Sequence, residues 1–456
     1  MSSLGTVRTL APVLLRAGGT SGMRHQARGT VLAVLAFAIT TALALSVLGG
    51  QRAFTVRTAT DDPFQKEWGD LYIVFAWVAV ILLMVPLLSL GGAAARLGVA
   101  RRDAHLATLR LLGATPGEVV ALTVTETAWQ GLIGAALGMA GYVLLLPVWT
   151  LVPFQGGHLA IGELWVGPLM LLAPLVVPAL AALSAAFTLR RVVVSPLGVA
   201  QRTTPARLKV VRVVVAAAAM VGFLVVTTLS GFDNGLLIVL ILAMLAAVFG
   251  SINLVGPWLI WLLGKISGGT ARSAAGLLAA RRLADDPKAA WRVVGGLGLA
   301  SFVAAVLSVL PMISEVQGMA PGERLFLDDL VMGALLTLAI TFVVAACSAG
   351  IMQAASVLDR RRDYALQALA GVPVALLDAV RRREVLTPLL FVSATSAGMG
   401  LLVVMPFLGP GVEIGTAGLV MLVSCLVLGC LLVLAASEAS RPLLRTVLRE
   451  TSVRPD

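Results

Sequence analysis

Few residues of this 456-residue chain are placed to do covalent chemistry. Cys347, Cys425 and Cys430 lie inside apolar runs and the three histidines are scattered, so no Cys/His spacing suggests a metal site. Burial as small side chains is the expected role of the cysteines. A phosphate loop, G-x-x-x-x-G-K-S/T, is absent, because GKIS at Gly264 lacks the upstream glycine. The sequence also has no HExxH, G-x-S-x-G or CxxC. No catalytic residue, bound cofactor or metal is therefore expected in this chain, and its driving energy must come from a partner or an ion gradient.

What remains is the chemistry of charged docking. RRDAHLATLRLLGATPGEVV, Arg101 to Val120, is a charged island between apolar stretches, and RRRDYALQALAGVPVALLDAV, Arg360 to Val380, is a second. In the first, Leu106, Leu109 and Leu112 or Gly113 fall at helical spacing on one side, with Arg101, Arg102, Asp103, His105 and Arg110 on the rest. Gly113 suits the position that stops a helix. Thr115-Pro116-Gly117-Glu118 then reads as N-cap, proline at the first helical position and a capping-box glutamate. Gly371 and Pro373 punctuate the second island in the same way, without the capping box. A single island of this kind could merely anchor a loop by snorkelling arginine. Two in equivalent places favour a docking surface for a symmetric or pseudosymmetric partner.

The elements that hold the islands are set by composition. The chain is 59% hydrophobic and 12% charged, with mean hydropathy +0.98. A soluble chain of this length needs roughly twice that share of charge, so lipid is the expected solvent. Ten segments are long enough to span, near 29–49, 70–92, 118–147, 165–189, 210–230, 235–263, 292–314, 328–352, 385–408 and 415–437. The first follows a basic stretch, but its length and the lack of a small-residue cleavage site favour a retained helix over a signal peptide. With both termini in the cytoplasm, 30 of the 34 Lys and Arg fall inside, and only Arg52, Arg57, Lys66 and Arg324 outside. The basic balance of +11 thus reflects membrane orientation, and nucleic acid is not an expected partner. The outer loops, Gly50 to Gly69 and Ser314 to Leu327, are too short to bury a core of their own.

The islands also reveal a repeat. Gly113 and Gly371 are 258 positions apart, as are Glu126 and Glu384. The expected fold is all-α: two parallel four-helix units, spans 1–4 and 7–10, joined by two central helices, with the pseudo-twofold axis along the membrane normal. The corresponding segments are a cytoplasmic amphipathic stretch 1–28, a first unit 29–189, a linker and central pair 190–263, a linker and second unit 264–437, and a tail 438–456. Small-residue runs such as GLIGAALGMAG, Gly131 to Gly141, suit close helix packing.

RRDAHLATLRLLGATPGEVVALTVTE closely resembles the signature segment of FtsX-like and MacB-type ABC transporter permeases. The second copy matches at Asp363, Leu366, Leu369, Gly371 and Glu384, but Ala368 stands where the first has Arg110. The ten-span layout resembles BceB-type permeases without their large extracellular domain. The resemblance implies a bacterial plasma-membrane permease that works by mechanotransmission. Two copies of a separate cytoplasmic ATPase, carrying ATP and Mg, would grip the islands. The coupling residues implied are Arg101, Arg102, Asp103, Leu106, Leu109, Arg110, Gly113 and Glu118, with Arg361, Arg362, Asp363, Leu366, Leu369 and Gly371 in the second copy. Export or outer-leaflet removal of an antibiotic, antimicrobial peptide or lipid is the implied activity. A non-transporting relay to a sensor kinase is the alternative.

Ion-coupled transport is a second alternative, and it would place an ionisable group deep in the bilayer. Glu126 and Glu384 come closest, two or three turns into their helices. Pairing with local arginine, for Glu384 the adjacent run Arg381 to Arg383, competes there with a role in holding the coupling geometry. Prolines within spans, such as Pro86, Pro147 and Pro178, are read as tolerated kinks or as hinges.

Overall fold

Hydrocarbon offers the backbone no hydrogen-bond partner, so apolar segments of spanning length close into helices. The computed structural model describes residues 20–60, 62–100, 115–193, 210–228, 234–309, 320–359, 364, 366–367, 369–408, 416–439 and 441. The first helices are α1 (Thr20–Thr58), α2 (Pro63–Ala100) and α3 (Pro116–Trp149). A two-stranded hairpin follows, β1 (Pro153–Phe154) and β2 (Gly157–His158), then α4 (Ile161–Leu164), a 3-10 turn (Gly167–Leu172) and α5 (Ala173–Val193). Next come α6 (Val210–Thr228), α7 (Asn234–Gly269) and α8 (Ala274–Asp285). The rest are α9 (Pro287–Leu307), α10 (Pro321–Asp359), α11 (Val374–Leu408) and α12 (Thr416–Glu438).

The protein is an all-α membrane protein. Among the described residues nine helical segments are long and apolar enough to cross a bilayer, rather than the ten expected. The expected span 210–230 is α6, a 19-residue apolar helix whose described side chains run only from Val214 to Val225. The expected outer loop Gly50 to Gly69 is also corrected. Helix α1 continues to Thr58, and α2 starts at Pro63, where Asp62 accepts a hydrogen bond from the Phe64 N–H (3.0 Å). The charged residues there cap and flank two helices instead of forming a loop, because Gln51 to Arg57 contains no glycine or proline to break α1.

The chain divides into two compact units, one of Met1–Ser46, Leu90–Leu145 and Val166–Thr204, the other of Val47–Ser89, Leu146–Trp165 and Pro205–Asp456. In the first, the small-residue run of α3 lies directly on α1. A β-carbon at Gly138 would sit 2.5 Å from Thr41 Cβ and 2.7 Å from the Ala38 carbonyl oxygen, and one at Gly134 would sit 2.4 Å from Phe37 Cβ. Only glycine permits that approach, and dispersion across it replaces a hydrophobic drive that lipid cannot supply. Thr41 satisfies its hydroxyl within α1, donating to the Phe37 carbonyl (2.8 Å).

The second unit is organised around α9. Trp291, Val294, Leu297, Phe302 and Val303 are buried among Ile260, Leu338, Phe342, Leu389 and Val392 from α7, α10 and α11. Helix α12 is different, since Val420, Val423, Val427 and Leu431 on it are more than half exposed. In water such a face would drive aggregation; in a membrane it meets lipid.

At the start of α11 and the end of α12 a guanidinium is withdrawn from solvent. Arg381 is 1% exposed, and it donates to the Ser437 carbonyl (3.0 Å) while pairing with Glu438 (3.0 Å) and Asp378 (3.2 Å). Arg382 and Arg441 hold the same two carboxylates from outside, at 3.0 and 2.9 Å. A buried charge is tolerated only with such compensation.

Two stability predictions follow from these packings, both read as thermal denaturation in detergent. Gly138→Ala is expected to cost about 1–3 kcal/mol by overpacking. Gly250→Ala, where an added β-carbon meets nothing within 4 Å, is expected to be neutral or mildly stabilising. Equal melting temperatures for that pair would contradict the α1–α3 contact. The double substitution D378L/E438L strands Arg381 and is expected to cost about 3–5 kcal/mol, more than Arg381→Met. The reverse order would show that the network does not hold α11 to α12.

Candidate functional site

The first island, with Arg101, Arg102, Asp103, Leu106, Leu109, Arg110 and Gly113, lies outside the described residues. Its downstream edge does not. Thr115 Oγ1 accepts from the Glu118 N–H (3.4 Å), and the Glu118 carboxylate accepts from the Thr115 N–H and hydroxyl, each at 2.9 Å. This reciprocal cap opens α3 at Pro116, as the spacing predicts. Hydrogen bonds from the Thr115 N–H, and then from its hydroxyl, hold the Glu118 carboxyl below the usual range. Three turns into the helix Glu126 is partly buried and accepts from Gln130 Nε2 (3.5 Å).

In the second island Arg361, Arg362 and Asp363 lie outside the described residues, while Tyr364, Leu366, Gln367 and Leu369 after them are helical. This turn ends in a Schellman closure: Val372 N–H donates to the Gln367 carbonyl (3.0 Å), with Gly371 at φ +83°. A side chain at Gly371 would be strained in that left-handed conformation. Leu366 and Leu369, three residues apart, are 56% and 75% exposed on one side of the turn. The other side faces inward, where Tyr364 is 3% exposed.

Arg282 of α8 is the residue that joins the island to the rest. It donates to Tyr364 Oη (3.4 Å) and Gln367 Oε1 (3.3 Å), lies over the Tyr364 ring (5.4 Å) and pairs with Glu384 (3.5 Å). The sequence reading points Glu384 at the adjacent arginines, and the structure corrects this. Arg381 turns toward Asp378 and Glu438, Arg382 toward Glu438, and Arg383 toward Ser273. On a helix, neighbours one or two positions apart point to different faces, so contiguity in sequence did not bring them together.

A second constellation, which the sequence reading missed, stands at the other end of α10. Asp329, 8% exposed, accepts from Tyr72 Oη (2.5 Å) and from the Gln155 N–H (2.6 Å) at one carboxylate oxygen. Gln155 and Gly156, both at positive φ, form the tight turn of the β1–β2 hairpin. Aromatic rings fill the space around it: Phe54 against Phe154 (5.3 Å between centroids), Phe326 against Tyr72 (5.2 Å) and Phe326 stacked on Trp68 (4.9 Å).

Arg57 completes this clasp. It donates to the Phe154 (3.1 Å) and His158 (2.8 Å) carbonyls and pairs with Glu163 (2.9 Å), while Arg52 bonds the Trp165 carbonyl. Burial works to raise the Glu163 carboxyl, but the Arg57 guanidinium and the Ala160 N–H outweigh it and leave the group below the usual range. One signal could have exposed part of the clasp: Asp329 is an ionisable residue at the start of an apolar span, a pattern that asks for a partner.

Helix α10 runs unbroken for 39 residues between these two places. From Asp329 to Asp359, where the island begins, it covers about 45 Å at 1.5 Å per residue.

Residues 77–194 match the family model for the FtsX-like permease C-terminal domain, a range that contains the whole first island. No curated protein matches the chain. FtsX-like permeases generally work with a cytoplasmic ATPase partner. Residues 77–194 thus carry the likeness to an FtsX-like permease domain, and the many apolar helices around it support an FtsX-like permease, a multi-pass membrane protein.

Proposed function

We propose that this chain is the membrane subunit of an ABC transporter, with both termini in the cytoplasm and two copies of a separate ATPase docked on its islands. ATP and Mg belong to that partner. The work done is export, or removal from the outer leaflet, of an amphipathic or hydrophobic compound such as an antibiotic, an antimicrobial peptide or a lipid.

One observation carries this reading. Leu366 and Leu369 present bare apolar surface on a charged turn, beside an unbroken helix whose far end is locked by Asp329. Exposed leucines outside the lipid-spanning stretch mark a protein contact. Arg282 ties that turn to α8 and α11, so a push on the turn is delivered to three helices together. The length of α10 then delivers displacement at the clasp, where Tyr72 and the hairpin meet Asp329. Arg110 and Leu109 of the first island take the equivalent docking role in the other half.

Copurification tests the docking. L366D/L369D, and separately L109A/R110A, are expected to lose most of the bound ATPase from solubilised membranes. Full retention by both variants would refute docking at the islands, as would labelling of either island from outside intact cells.

Coupling is tested at the clasp. Asp329→Asn is expected to leave ATPase association unchanged while lowering substrate-stimulated ATP hydrolysis several-fold. This follows because a charge-assisted hydrogen bond is roughly twice as strong as a neutral one. Unaltered stimulation would remove the clasp from the mechanism.

A further inference from the structure

Four described arginines near the α8–α11 contact have carboxylate partners. Arg282 pairs with Glu384, Arg381 with Asp378 and Glu438, Arg382 with Glu438, and Arg441 with Asp378. Among the described residues Arg272, Arg281 and Arg383 have no carboxylate within ion-pair distance, and of these Arg272 and Arg383 are the ones that line a cavity. Both line the same open cavity of about 540 Å³, between the end of α7, the start of α8 and the first turns of α11.

The cavity is chemically two-sided. Its polar rim carries the two guanidinium groups with the hydroxyls of Ser273 and Thr387, and its wall includes Leu283 and Leu386. Arg383 donates to Ser273 Oγ, which also caps α8 by accepting from the Gly276 N–H (3.2 Å), so one wall of the rim is held in place. Its lining residues Ser267, Thr270, Ala271, Arg272 and Ser273 straddle Gly269, where the apolar span Leu242–Gly269 ends. Headgroups sit at this level in a bilayer. Leu277 and Leu278 of α8 are about 40% exposed nearby and offer an apolar flank.

We propose that this cavity binds a phosphate group, carried by the headgroup of an anionic membrane lipid or as the free ion. Two guanidinium groups from separate elements can each donate a pair of N–H bonds to phosphate oxygens, a geometry that carboxylate-free arginines favour. The apolar wall and flank suit an acyl chain and distinguish a lipid from the free ion. The site is independent of ATPase docking, since Arg272 and Arg383 belong to neither island contact described above.

The test uses purified full-length chain, delipidated in detergent. Native mass spectrometry with phosphatidylglycerol is one arm, and calorimetry with inorganic phosphate is the other. R272Q/R383Q is expected to weaken binding of at least one probe by roughly tenfold or more, from the loss of charge-assisted hydrogen bonds. R272K/R383K, which keeps the charge but not the paired donors, is expected to bind more weakly than the parent and more tightly than R272Q/R383Q. Arg281→Gln, an exposed arginine that does not line the cavity, is expected to bind as the parent does. Dependence confined to phosphatidylglycerol identifies the lipid headgroup, and dependence seen with inorganic phosphate alone identifies the free ion. If the parent and R272Q/R383Q bind both probes equally well, or the parent binds neither, the proposal is overturned.

Discussion

Hydrocarbon does not solvate a charge, and the arrangement of this protein depends on that single constraint. Three described ionisable groups drawn inside the helices are met by partners from other elements. Asp329 is held by Tyr72 and the hairpin backbone, Arg381 by Asp378 and Glu438, and Glu384 by Arg282. Because breaking such a pair leaves a stranded charge, these contacts hold helices in register where apolar packing alone would let them slide. The same reasoning makes the two cavity-lining arginines, Arg272 and Arg383, conspicuous, since among the described residues neither meets a carboxylate.

The two ends of α10 divide the labour. One end is buried in aromatic rings and fixed by a carboxylate, and the other precedes a turn that leaves two leucines bare. In the proposed mechanism, a rigid helix between a locked end and a docking end would convey displacement with little loss, because packed cores are discrete in their arrangements and not continuously deformable. The two islands are punctuated differently. The first is followed by a capping box at Thr115 and Glu118, the second ends in a Schellman turn at Gly371. With Arg110 replaced by Ala368 in the second copy, the halves offer chemically distinct surfaces to a partner.

Much of this was legible in the sequence. The all-helical class, most of the spans and the positions of Gly371 and of the Thr115 cap follow from apolar run length and local backbone chemistry, which act over a few residues. The contact of Gly134 and Gly138 with α1 was legible as a small-residue run, though not which helix it would meet. The extension of α1 through Arg57 was misread as a loop, because charge there signals lost lipid contact and not a lost helix.

Local sequence therefore determined where helices form, where they stop and which residue types are available to dock. Tertiary structure alone decided which charges meet. Glu384 reaches across more than 100 positions to Arg282 and not to the arginines beside it, and Asp329 finds Tyr72 and Gln155 from two other elements. The reason is geometric. A helix sends adjacent side chains to different faces, so ion pairs inside a bundle are chosen by which faces pack together, and that choice is written only in three dimensions.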